Sequence, residues 1–344
     1  MNIKRRLIIL IFIIILIVLS IFLIEKSKLS YSTQNNVLKD GIYLKSPELV
    51  GIEGYINTKE GLSIESLKGK VVLIDFWTYT CINCLRTLPY LASWDKKYSD
   101  KGLVIIGVHT PEFNFEKKYE NVLNAVKENN IKYAVVQDNN YATWNAFRNR
   151  YWPRKYLIDK DGYIRYDHAG EGAYKETEMK IQELLKETGE SITEIPELEE
   201  LKLSDFILFP RTPELYAGYD FSLTRGQNIG NKEGLQPENI IDYSLPENLE
   251  KDIIYLEGKW KSNQDDLQAF SDSSIYLKFT GSEANIVIGE MSDKQEIEVL
   301  IDNVSKKILI EEPKLYNLYD GKHGAYLLQI KVKSGFNFNA FTFG

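Results

Sequence analysis

The stretch Val71-Val72-Leu73-Ile74-Asp75-Phe76-Trp77 gives way, four residues on, to Cys81-Ile82-Asn83-Cys84, and these two cysteines are the only ones in 344 residues. A run of Val, Leu, Ile and Phe predicts a buried strand. The Leu88, Leu91 and Trp94 positions that follow lie on one face of a predicted helix. The pair is thus expected where a strand ends and a helix begins. Backbone N–H groups at that point lack partners and the helix dipole is positive, a field that favours a thiolate. A second thiol three residues on is close enough to close a disulfide. The expected chemistry is thiol–disulfide exchange, with attack by Cys81, a mixed disulfide, and resolution by Cys84.

The rest of the chain limits the alternatives. A net charge of -7 argues against a nucleic-acid partner, which requires a basic face. Lys4-Arg5-Arg6 precedes an apolar run over 7–24 broken only by Ser20. Eighteen residues at helical rise span roughly 27 Å, enough for a bilayer core. A cleaved signal has a shorter apolar core, about 7–15 residues, and a small-residue cleavage site. Ile24-Glu25-Lys26-Ser27 offers none, so residues 1–25 are read as a retained transmembrane anchor rather than a signal segment. The positive amino flank places the remainder outside the cytoplasm. In such an oxidising compartment a lone vicinal pair is a poor structural staple, because its tiny loop yields little entropic stabilisation.

Polar residues over 26–45 predict a tether, and a folded region begins near residue 46. Predicted elements over 46–187 run β-α-β-α-β-α-β-β-α, with Lys160-Asp161-Gly162 as a hairpin turn, and call for a mixed α/β sheet. An acidic stretch over 188–204 predicts a linker. From 205 to 344 short alternating runs such as Ile275–Phe279, Asn285–Ile288 and Tyr326–Ile330 are separated by turn residues (Gly281-Ser282, Asp320-Gly321). That pattern predicts an all-β sandwich of jelly-roll type. Trp260, Tyr255, Tyr276 and Tyr316 are its candidates for stacking on sugar rings, although such aromatics are also ordinary β-domain core or surface residues.

The segment Asp75-Phe76-Trp77-Thr78-Tyr79-Thr80-Cys81-Ile82-Asn83-Cys84 resembles the active-site segment of thioredoxin-like oxidoreductases. The resemblance implies that Cys81 is the nucleophile, Cys84 the resolving thiol and Asp75 a buried proton-transfer group beneath them. A carboxylate in that setting has a raised pKa. It also implies a cis proline opposite the dithiol. Pro153, in Tyr151-Trp152-Pro153-Arg154, occupies the matching place before the hairpin. The backbone of Trp152 is then free to pair with an extended substrate, and Trp77 and Trp152 are the candidate substrate-binding residues. Gly107-Val108-His109-Thr110-Pro111-Glu112-Phe113 and Ala340-Phe341-Thr342-Phe343-Gly344 extend the likeness to the extracytoplasmic part of DipZ-type proteins, which join a thioredoxin-like domain to a sandwich resembling carbohydrate-binding modules. Those proteins begin with a multi-helix membrane domain that carries electrons. This chain has one expected span in its place, so the implied electron donor is a separate membrane dithiol carrier of the CcdA kind.

Other chemistries fit less well. Zinc requires about four ligands, and His109, His168 and His323 are scattered. Haem attachment through C-x-x-C-H fails at Leu85. Copper delivery on the same fold uses C-x-x-x-C, one residue longer than the spacing here. The expected redox group is the Cys81/Cys84 dithiol itself, with no cofactor or metal, and the expected partners are protein disulfides. The readings that stay open beside it are copper delivery and a non-catalytic extracytoplasmic protein that binds glycan or protein through the sandwich.

Overall fold

The computed structural model describes residues 38–191, 211–302 and 304–344, together with Ile17. The expected membrane span, the tether up to residue 37 and the linker from residue 192 lie outside the described residues. Among the described residues no helix is long and apolar enough to cross a membrane. Residues 38–45, within the expected tether, form a small hairpin of β1 (Leu38–Lys39) and β2 (Tyr43–Leu44). Lys39 Nζ ties it to the folded body through Asp159 (2.8 Å) and Asp161 (2.6 Å).

The first body is a six-stranded sheet of β3 (Gly54–Ile56), β4 (Val71–Trp77), β5 (Leu103–His109), β6 (Ala134–Gln137), β7 (Arg154–Ile158) and β8 (Ile164–Ala169). Their spatial order is β3-β6-β5-β4-β7-β8. Strands β4, β5 and β6 run parallel, and β3, β7 and β8 join antiparallel. The helices are α1 (Ile82–Tyr98), α2 (Tyr119–Glu128), α3 (Ala142–Ala146) and α4 (Tyr174–Glu187). The expected element order is present, preceded by β3, whose three residues are too short to show a period.

All seven residues of β4 are buried, and successive side chains serve two cores. Leu73 and Trp77 face Leu88, Leu91 and Trp94 of α1, whereas Val72, Ile74 and Phe76 face Trp144 and Phe147. Alternation therefore puts Asp75 on the α1 face, beneath the cysteines. On α1 the buried residues Cys84, Leu88, Leu91, Trp94 and Tyr98 recur every three or four positions, the stripe that docks the helix on the sheet.

The second body holds β9 (Leu215–Tyr216), α5 (Tyr219–Thr224), β10 (Ile240–Tyr243), β11 (Ile254–Ser262), β12 (Leu267–Ala269) and β13 (Ser273–Ile288). It continues with β14 (Gln295–Ile301), β15 (Val304–Ile310), β16 (Lys314–Val332), β17 (Asn337–Phe338) and β18 (Ala340–Phe343). These form one connected ten-stranded network, where the sequence predicted two sheets of a jelly roll. Two effects explain the difference. Gly281-Ser282 and Asp320-Gly321, which look like turns, lie inside the long strands β13 and β16, where a bulge between Gly281 and Glu283 absorbs the irregularity. Strand β11 pairs with β13 up to Glu257 and with β10 and β12 from Gly258 onward. The bend at Gly258 has φ +89°, and a Cβ there would lie 2.5 Å from Ser273 Oγ. The sheet thus curls round its own core of Trp260, Phe279, Phe336, Phe338 and Phe341. Trp260 and Tyr255 are buried, so neither offers a face for sugar stacking.

The two bodies share apolar contacts. Tyr216, Val287 and Ala340 belong to the core cluster that contains α1 and Cys84. Phe113, 2% exposed, packs against Tyr216 and Phe221. Arg86 on α1 pairs with Glu283, and the Asn114 N–H donates to Asp265 Oδ2 at 2.8 Å.

Candidate active site

Strand β4 ends at Trp77, and Thr78-Tyr79-Thr80 lead into Cys81, the N-cap of α1. The φ/ψ of Cys81 (−78°, 110°) are extended, as an N-cap requires. Its Sγ accepts the backbone N–H of Cys84 at 3.3 Å, so the sulfur does the work of a capping oxygen. Both cysteines are free thiols; Cys81 is half-buried and Cys84 buried. Burial, reinforced by the contact with Cys81, pushes the Cys84 thiol well above its ordinary range. Of the two sulfurs Cys81 is the accessible one, and Cys84 holds its proton at neutral pH.

Asp75 is 1% exposed and its Oδ1 has no hydrogen-bond partner. Burial raises its carboxyl to about 7, opposed by the charge of Lys155. The antiparallel pairing of β4 with β7 sets Lys155 directly opposite Asp75, so the two side chains share a face. Lys155 is fully buried, and its Nζ makes no hydrogen bond and sits 5.8 Å from the Tyr174 ring centroid. Burial lowers its pKa, and Asp75, Cys84 and Glu171 oppose that effect. An acid and a base are therefore buried side by side under Cys84, each driven towards its neutral form by lack of water. Sequence reading missed Lys155, whose only signal is a charged residue inside the apolar β7.

The Trp152–Pro153 peptide bond is cis, the geometry the resemblance implies. Trp152 is half-buried; its Nε1–H donates to Thr110 O at 3.1 Å and its ring lies 4.2 Å from Trp144. Trp77 departs from its expected substrate contact. It is fully buried and meets His109 edge-on, because strand alternation turns it into the α1 core. His109 is also fully buried, its ring stacked on Tyr79, and burial lowers its pKa to about 3, so it is neutral.

Glu116 is the second residue sequence reading missed. It is wholly buried; one oxygen accepts Thr78 Oγ1 (2.5 Å) and Thr80 Oγ1 (2.6 Å), the other the backbone N–H groups of Glu112 (2.5 Å) and Phe113 (3.0 Å). Four donors converging on one carboxylate hold the loop before Cys81 against the loop after β5. An acid directly after Phe115 was its only trace in the sequence. Among the described residues no group of three or more His, Cys, Asp or Glu is placed to hold a metal.

Comparison with known proteins agrees with this geometry. Residues 69–164 match the thioredoxin-like family and residues 212–344 the thioredoxin-like C-terminal domain family. Protein DipZ of Mycobacterium tuberculosis is 35% identical over 307 residues, 87% of this chain and 43% of DipZ, so the chain spans under half the length of that curated relative. The thiol-disulfide oxidoreductase YkuV of Bacillus subtilis is 31% identical over 143 residues, 41% of this chain and 95% of YkuV. ResA of Bacillus cereus, also a thiol-disulfide oxidoreductase, is 32% identical over 36% of this chain and 70% of its own. A dithiol at a strand–helix junction, a cis proline and a thiol-disulfide oxidoreductase, YkuV, matched over 95% of its length lead to one conclusion: the chain belongs to the thioredoxin-like thiol–disulfide oxidoreductases.

Proposed function

We propose that this enzyme is anchored by residues 7–24, faces outward from the membrane, and reduces disulfides in other proteins through Cys81 and Cys84. The Cys81 thiolate attacks one sulfur of a partner disulfide. A mixed disulfide forms, and the partner's other sulfur leaves as a thiolate and takes up a proton. Asp75 accepts the Cys84 proton, helped by Lys155. The Cys84 thiolate then displaces the partner from Cys81. Two electrons and two protons reach the partner in sum, and the chain is left with a Cys81–Cys84 disulfide. A membrane dithiol carrier of the CcdA kind returns it to the dithiol, and no cofactor beyond the cysteines takes part.

In this reading the cis Pro153 serves the substrate side of the site, with its neighbour Trp152 presenting backbone to an extended substrate. Trp77 acts only by packing. Residues 46–187 form the redox domain, and 205–344, after a linker over 188–204, a curled β-sheet domain available for glycan or protein docking. The observation that carries the reading is the half-buried Cys81 sulfur at a helix start, with Cys84 and Asp75 buried beneath it.

The test is reduction of insulin by dithiothreitol with and without the full chain, alongside Cys84→Ser. Acceleration by the native protein, and covalent trapping of partners on Cys81 in the variant, are expected. A native protein that speeds no disulfide reduction would refute the assignment. A redox titration of the pair settles direction, since about 30 mV corresponds to a tenfold shift in the equilibrium.

A further inference from the structure

We infer that the cleft between the two bodies, beside the dithiol loop, seats a polypeptide segment flanking the cysteine of a disulfide partner. The inference rests on the exchange chemistry proposed above but uses other residues. The cleft has a volume of about 350 Å³. Tyr79, two residues before Cys81, and Leu85, directly after Cys84, form one wall; α2 forms the second, and the Glu312–Leu315 segment at the start of β16 the third. Both bodies are needed to build it, and it abuts the loop that carries the sulfurs.

The lining identifies the guest. The Tyr79 hydroxyl is buried next to Asn121. Asn124 is exposed, and its amide makes no hydrogen bond among the described residues. Leu85 and Leu315 give the walls apolar patches. At the rim Lys314 reaches Glu128 (3.4 Å) and Glu312 (2.6 Å), leaving one net negative charge. Amide and hydroxyl groups next to apolar patches suit a peptide, whose backbone and side chains alternate in the same way. A sugar requires an open aromatic plate, and the one aromatic in the lining, Tyr79, is 5% exposed and stacked on His109. The excess of carboxylate disfavours anions. The occupant is therefore a neutral or basic polypeptide segment.

The test uses the full chain and Asn124→Trp, an exposed position where a large side chain fills the cleft without entering the core. Anisotropy of fluorescein-labelled insulin B chain, its cysteines alkylated, reports binding without exchange. Catalysed reduction of intact insulin is compared with that of hydroxyethyl disulfide, too small to use the cleft. The native chain is expected to bind the alkylated peptide, and Asn124→Trp to weaken binding at least tenfold. The variant should raise KM for insulin by a similar factor and leave the hydroxyethyl disulfide rate unchanged. No binding by the native chain, equal binding by both proteins, or displacement of the peptide by an N-acetylglucosamine oligomer overturns the inference. If hydroxyethyl disulfide is not reduced by either protein, the exchange reading fails, while the anisotropy still decides the cleft.

Discussion

At the residue scale the site is governed by two ionisable side chains, Asp75 and Lys155, buried with Asp75 Oδ1 and Lys155 Nζ lacking hydrogen-bond partners. The Asp75 carboxyl sits at about 7, above its ordinary 3.8. Below about pH 3 the native and unfolded chains both hold that proton and nothing is lost. As pH rises to 7 and beyond, the unfolded chain ionises freely while the native one must bury a charge, so stability falls. Asp75→Asn is expected to raise stability by up to about 4 kcal/mol at pH 8 and by almost nothing at pH 3; urea unfolding at the two pH values measures it. The same variant should prolong the mixed disulfide on Cys81 by about a hundredfold, the scale of a lost general base, read as the decay of a thionitrobenzoate adduct. Lys155→Met removes the positive charge that holds Asp75 down. The pH midpoint of that decay is then expected to rise by about one unit. An unchanged midpoint would remove Lys155 from the proton pathway.

At the scale of elements, β4 and α1 deliver the dithiol, but the loop joining them is held by Glu116. Each buried donor left without a partner costs about 1–3 kcal/mol. Glu116→Ala strands two hydroxyls and two backbone N–H groups, so a loss of more than about 3 kcal/mol in urea unfolding is expected. Glu116→Gln keeps one accepting oxygen and should recover part of it. Gly107 of β5 makes a related demand. A Cβ there would lie 3.0 Å from Trp77 Nε1 and 3.3 Å from Tyr133, which confines the position to glycine unless the Trp77 ring moves.

On the scale of the whole molecule, the curled sheet is attached to the redox domain beside its active helix. Phe113 leaves the loop after β5 and packs between Phe115, Tyr216 and Phe221. Glu112 and Glu214 share the Tyr216 hydroxyl at 2.7 and 2.9 Å, and burial with the nearby Glu214 charge raises Glu112 to about 8. With an apolar joint of this kind the two bodies are expected to unfold together. Phe113→Ala should cost about 3–5 kcal/mol and split a single calorimetric transition into two. One unsplit transition of lowered midpoint would mean that the joint contributes packing without coupling.

The sequence by itself determined the redox chemistry and the first body. A Val/Leu/Ile strand, a C-x-x-C pair and an apolar helical stripe are local patterns, and local patterns set local structure. It also located Asp75, because an acid inside an apolar strand is legible without the fold. The tertiary structure alone decided Lys155, brought opposite Asp75 by strand pairing across 80 residues of chain, and Glu116, whose four donors come from two separate loops. It likewise decided the fate of Trp77, which alternation turned inward, and of the second body, where bulged and bent strands run through residues that look like turns. Pairing register and the neighbours it creates depend on which segments meet, and no single window of sequence contains that information.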